Sequence, residues 1–176
     1  MASTFAEMIV DEMVTIFDSV DGLVNPDPDN PTEPFYYMLG LPADTTPVKG
    51  VVKSPTLRIS VLGDEATNDL STEQADNVYI VEIACLVKKP KKVPFNKERI
   101  VKIVSDFWVI DVITQVRNIL RIKEVLNSIE LDTEKIETII CSNADYIPEL
   151  LSDGLYSSGR VTATITTTQV KPERRA

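Results

Sequence analysis

The sequence predicts an α+β fold, with a mixed or antiparallel sheet of about four or more strands packed by an N-terminal helix and a long central helix, plus a proline-rich extended arm. Three observations carry this. Apolar residues near the start recur at helical spacing, several short segments alternate apolar with polar residues, and the run 78–87 is apolar on both faces apart from Glu82. The 176 residues suit a single domain spanning 1–176, because a chain of this size buries about 70% of the surface it exposes when unfolded.

The first helix, 4–20, opens on Thr4-x-x-Glu7, a capping box, and places Phe5, Met8, Ile9, Met13, Ile16, Phe17 and Val20 on one face. Asp21-Gly22 stops it. Segment 21–55 then holds seven of the 11 prolines, whose fixed φ and missing donors favour an extended arm over a helix or a central strand. Within the arm, Phe35-Tyr36-Tyr37-Met38-Leu39 is too apolar to leave in water. It either packs back on its own domain or docks on a neighbouring subunit.

An α+β core is expected over 56–170. Leu57, Ile59 and Val61 alternate with Arg58 and Ser60 as a strand that Gly63-Asp64 ends, and 63–76 reads as a polar, acidic loop. That loop lacks EF-hand spacing, so solvation is the reading and a metal site the alternative. The two-sided run 78–87 marks the centre of the sheet. Lys88-Lys89-Pro90-Lys91-Lys92 follows, a basic hairpin that suits an acidic partner or a solvated tip, with a phosphate contact as the alternative.

Asn96 is a candidate cap for a long second helix with apolar residues from Ile100 to Leu126. The stretch Phe107-Trp108-Val109-Ile110 is apolar all round, which implies burial on several sides or a break near Asp111, with Trp108 in the core. Segment 135–141 alternates Ile136, Thr138 and Ile140 against Glu137, Ile139 and Cys141, another strand. A polar loop through Pro148 and Ser157-Ser158-Gly159 leads to a last strand over 160–170. Its Thr162, Thr164, Thr166 and Thr168 share a face that tolerates water and suits pairing with another chain. Residues 171–176 read as a mobile tail.

Composition narrows the function classes. Eighteen basic and 27 acidic residues give a formal charge of -9, which repels nucleic acid and anionic lipid. No basic leader and no apolar run of membrane-spanning length is present, so a cytosolic product is expected. With no histidine, no phosphate-binding glycine motif and no nucleophile elbow, no catalytic residue, metal ligand or cofactor is expected, and the chain does not read as an enzyme. Cys85 and Cys141 sit in apolar runs and read as inert core thiols, a disulfide or reactive thiol being the alternative.

The order helix, proline-rich arm, strand, acidic loop, two-sided strand, lysine hairpin, helix, strand, polar loop and alternating strand resembles the tail terminator, or tail completion, proteins of tailed bacteriophages, the family of the lambda minor tail protein U. The likeness takes in the start from Thr4 and segments 57–62, 77–87, 98–126 and 135–170. It is one of element order and character, with no diagnostic motif.

The resemblance implies a hexameric ring that caps the tail tube, ends its growth and meets the head or neck connector. It would be assembled in the bacterial host cytoplasm and carried in the virion tail, and DNA would pass without specific binding. On that reading Phe35, Tyr36, Tyr37, Lys88, Lys89, Lys91, Lys92, Thr162, Thr164 and Thr166 are the candidate subunit and partner contacts. Asp64, Glu65 and Asp69 are the candidates for an acidic lumen. A different neck or head-completion protein, or a non-enzymatic cytosolic adaptor, is the alternative.

Overall fold

The computed structural model describes residues 4–41, 55–68, 74–89, 101–122, 134–151 and 154–170. In chain order these form α1 (Phe5–Phe17), β1 (Tyr36–Gly40), β2 (Thr56–Asn68), β3 (Gln74–Lys88), α2 (Val104–Leu120), β4 (Glu134–Cys141), β5 (Asp145–Tyr146), β6 (Glu149–Leu151) and β7 (Gly154–Val170). The strands make one mixed sheet in the order β1-β2-β3-β7-β4, with β5 and β6 also paired to β7. Among the described strands only β1 and β2 run parallel; the other pairs are antiparallel. The expected α+β architecture is what the chain adopts.

Both helices lie on one face of the sheet. Tyr79, Val81, Ile83, Cys85 and Val87, alternate residues of β3, enter the same core as Val161, Ala163 and Ile165 of β7. Ile9, Met13 and Phe17 of α1 and Val109, Val112, Ile113, Val116 and Leu120 of α2 close that core from above. On the opposite face Ala84, Leu86 and Tyr156 are also buried, so β3 is covered on both sides at this end, as its apolar run requires.

In α1 the Thr4 side chain accepts from Glu7 N at 3.2 Å, satisfying one of the donors a helix start leaves orphaned. The stripe buries Ile9, Val10, Met13 and Phe17, while Val20 lies past the helix end and is fully exposed. Gly22 sits tightly under that end. Gly22 N donates to Ser19 O and Leu23 N to Phe17 O, so the chain folds back across the last turn.

The described part of the arm packs on its own domain. Asn25, itself buried, donates to Glu33 O and accepts from Asp27 N. Gln115 of α2 clasps Val24, accepting from its N at 2.8 Å and donating to its O at 3.2 Å. Phe35 is only 7% exposed and belongs to the core, and the residues after it form the edge strand β1. Residues 42–54 of the arm, like 171–176 of the tail, lie outside the described residues.

Four expectations are corrected. Strand β2 does not stop at Gly63-Asp64: its register shifts between Val61 and Gly63, a bulge that carries the ladder on to Asn68, so much of the supposed 63–76 loop is a long hairpin. Helix α2 starts at Val104, after Ile103, which offers no side-chain cap, and runs through Asp111 unbroken to Leu120. Asn96 and residues 123–126 are outside the described residues.

In β4 a shift between Ile136 and Thr138 resets the alternation. Ile136, Ile139 and Cys141 turn to the core while Thr138 and Ile140 are exposed. Finally, Ser157-Ser158-Gly159 belongs to β7, which spans 17 residues. The serine and glycine that mimic a turn serve packing. The Ser157 hydroxyl bonds the Ser105 hydroxyl and the Asp106 carboxylate, and Gly159 lies where a Cβ would come 2.7 Å from Val109 Cγ1 and 2.8 Å from the Tyr146 ring.

Candidate functional site

The residues expected to make contacts are scattered by the fold rather than gathered. Phe35 is spent on the domain's own core, which corrects its placing at a subunit interface. Tyr36 and Tyr37 are half-buried in β1, and the Tyr37 hydroxyl donates to Asp18 Oδ1 at 3.0 Å, fastening β1 to the end of α1. Burial, reinforced by the Asp18 charge, pushes that phenol well above its ordinary value, so it stays a donor throughout the working range.

Thr162, Thr164 and Thr166 are half-buried on the face away from the helices. Their strand has β3 on one side and β4 on the other: Thr164 is opposite Ile80 and Ile140, and Thr166 opposite Val78 and Thr138. Thr162, opposite Glu82, has its N and O engaged by Ser142. With both ladders in use, β7 has no edge to lend another chain, and the expected strand pairing through 160–170 is overturned. Periodicity identifies a strand but not its neighbours.

Lys88 is exposed at the end of β3. Lys89 is half-buried, its Nζ 3.4 Å from Asp106 Oδ1 and its backbone N bonded to Leu155 O. Lys91, Lys92 and Asp69 lie outside the described residues. Asp64 and Glu65 pair with Tyr79 and Val78 in the β2–β3 ladder, so they belong to a strand rather than to a loop.

A surface that sequence reasoning missed lies over α2 and the short strands. Phe107, 54% exposed, and Ile110 point away from the core, with Val104 one turn earlier. Lys102 Nζ sits 5.1 Å from the centre of the Phe107 ring, shielding it in part. Ile110 borders a cleft of about 250 Å³ with Tyr146 and Pro148 on its other wall. Leu150 (78% exposed) and its β7 partner Leu155 are exposed as well, whereas Ile147 is exposed beside Arg58 and Arg160 on the face away from the helices.

The signal was present in Phe107-Trp108-Val109-Ile110. Trp108 and Val109 pack inward while Phe107 and Ile110 face out, so all-round apolarity here marks an exposed face instead of burial or a break. A charged network on the face away from the helices holds β6 in place. Arg58 of β2 forks onto Glu149 of β6 at 2.9 and 3.4 Å, and Glu82 lies 3.9 Å from Arg58 and 4.0 Å from Arg160. Paired guanidinium and carboxylates, mostly shielded from water, fix β6 across the sheet.

Among the described residues no group of three or more Cys, Asp or Glu could hold a metal ion. Both cysteines are free, and burial raises each thiol above its ordinary value, fully for Cys85 and partly offset by Arg117 and Arg121 for Cys141. A thiol reagent is therefore expected to label Cys141 slowly and Cys85 only on unfolding; fast labelling of Cys85 in native buffer would contradict its burial. Because folding favours the Cys85 thiol over its thiolate, stability is full below the unfolded value of about 8.5 and falls as pH rises above it. Cys85→Ala should flatten that alkaline slope.

No protein-family model matches the chain, and no curated protein matches its sequence. Among the described residues no helix is long and apolar enough to cross a membrane.

Proposed function

We propose that this chain is a structural protein of the tailed-phage virion, a tail terminator that assembles as a ring on the end of the tail tube, ends its polymerisation and forms the joint to the head or neck. The observation that carries the reading is the exposed apolar surface of Val104, Phe107, Ile110 and Tyr146 on and beside α2. A monomer would leave these large apolar side chains in water, and exposed apolar surface of this kind marks protein association. The net charge of -9 supports a bore that DNA traverses without being gripped.

Assembly is the mechanism. Each copy would use one surface to meet a different surface of its neighbour, a heterologous contact that closes into a ring when the rotation is right. Light scattering, with negative-stain images of the same fractions alone and with tail tubes, tests this. Rings in solution, or a monomer that forms a ring only on tube ends, is the expected result.

A monomer or dimer that ignores tubes would instead favour a non-enzymatic adaptor. That second reading draws on the burial of Phe35 and the clasp of Gln115 on Val24, through which the arm completes its own domain.

A further inference from the structure

The sheet ends at β1, and among the described residues no strand lies on its outer side. Edge strands that must stay single are usually guarded by charge, proline or a bulge. The other edge, β4, has all but the proline: Glu134, Lys135 and Glu137, and a register shift. By contrast β1, Tyr-Tyr-Met-Leu-Gly, has no charge, no proline within it and an unbroken ladder to β2.

Beside β1 runs a groove of about 480 Å³ between it and α1. Its floor is Ala6, Val10, Leu39, Leu41 and Val61, and Glu7 and Asp11 stand on its α1 side. Both carboxylates are on exposed residues, and among the described residues neither has a cation in an ion pair. An occupant must therefore be extended, apolar on one face and cationic.

We infer that the groove and the β1 edge receive Pro90-Lys91-Lys92-Val93-Pro94-Phe95 from a neighbouring copy. In an extended strand Lys91, Val93 and Phe95 share one face, so Val93 and Phe95 meet the apolar floor while Lys91 meets Glu7 and Asp11. The two prolines are four residues apart and so lack donors on the same side of such a strand. The donors of Lys91, Val93 and Phe95 point to the other side, toward β1, the arrangement an edge addition tolerates.

Reach excludes the copy's own groove. Val61 is opposite Val81, and Lys89 lies eight residues further along β3, about 26 Å away. The Cα of Lys91 can be no more than about 7 Å from that of Lys89. The acidic partner that the lysine run calls for is another copy of this chain, joined head to tail. The inference deepens the ring reading by naming its contact, and can fail separately from it.

The test titrates a labelled peptide of residues 88–97 into dilute protein, followed by fluorescence anisotropy. Saturable binding is expected, weakened about ten-fold by Glu7→Lys with Asp11→Lys and by added salt, and abolished when Val93 and Phe95 of the peptide are serine. Because Glu7 and Asp11 are on the exposed side of α1, circular dichroism should show both variants folded, with Glu7→Gln and Asp11→Asn as a milder pair.

In the full chain, Lys91→Glu with Lys92→Glu should weaken self-association, and combining it with the groove reversal should restore it. No peptide binding, or binding indifferent to the groove reversal, overturns the inference. Rings that form despite both charge variants would overturn it while leaving the ring reading intact. Tail tubes that recruit no ring while the peptide still binds would do the reverse.

Discussion

Gly22→Ala should cost the fold about 2–4 kcal/mol, a drop of roughly 4–16 °C in melting temperature for a chain of this size. A Cβ on Gly22 would sit 2.3 Å from Phe17 O and 2.6 Å from Ile16 O. These are backbone atoms of the last turn of α1 and cannot swing aside as a side-chain tip would. To admit the methyl, the turn must open, lengthening the 2.8 Å bond from Leu23 N to Phe17 O and disturbing Phe17, which is almost wholly buried. Gly63→Ala is the control. It sits at the β2 bulge with nothing within 4 Å of a Cβ, and should fall within about 0.5 kcal/mol of the parent. Equal melting temperatures for the two variants would show that the chain does not fold back under α1 this tightly.

Phe35→Ser should lower stability by about 3 kcal/mol or more in denaturant unfolding, because it empties a buried aromatic site in the main core and places a hydroxyl there. Replacing Tyr36 with serine should cost less, since it is only half-buried. The ordering separates two roles for the aromatic run. If Phe35→Ser left the unfolding midpoint unchanged yet prevented association, the ring would contact the interface and not the core.

The fold was legible wherever local pattern and tertiary role agree. Thr4-x-x-Glu7 announces α1 because a cap is a local hydrogen bond, and the two-sided run 78–87 announces a central strand because both faces have to be covered. The misreadings share a cause: a residue chosen for a distant contact imitates a local signal. Gly63 reads as a stop but makes a bulge, and Ser157-Ser158-Gly159 reads as a turn but fits β7 against Ser105, Val109 and Tyr146. The Ile136/Thr138 bulge shifts the alternation of β4 by one residue, which no count of apolar positions foresees.

Interaction surfaces were less legible still. The threonine face of β7 is real, but which strands flank it depends on sheet order, which periodicity does not encode. The aromatic run from Phe35 could serve either a core or an interface, and burial decides for the core at Phe35 alone, while Leu39 stays exposed on the edge strand. Of the lysine run, Lys89 is engaged within the domain, by Asp106, a partner that charge alone does not point out.

The placement of β7 also sets a clock on synthesis. Gln74 of β3 is partnered with Val170, 96 residues further along the chain, and Lys88 with Tyr156. At about 5–20 residues per second, the ribosome needs roughly 5–20 s after making the first residue of β3 to deliver its partner. Until then the most apolar strand of the protein has only β2 beside it, and β4, already made, has nothing to pair with. The sheet therefore cannot close before β7 has emerged, and a nascent chain stalled before 154 should be bound by chaperones that one released after 170 escapes.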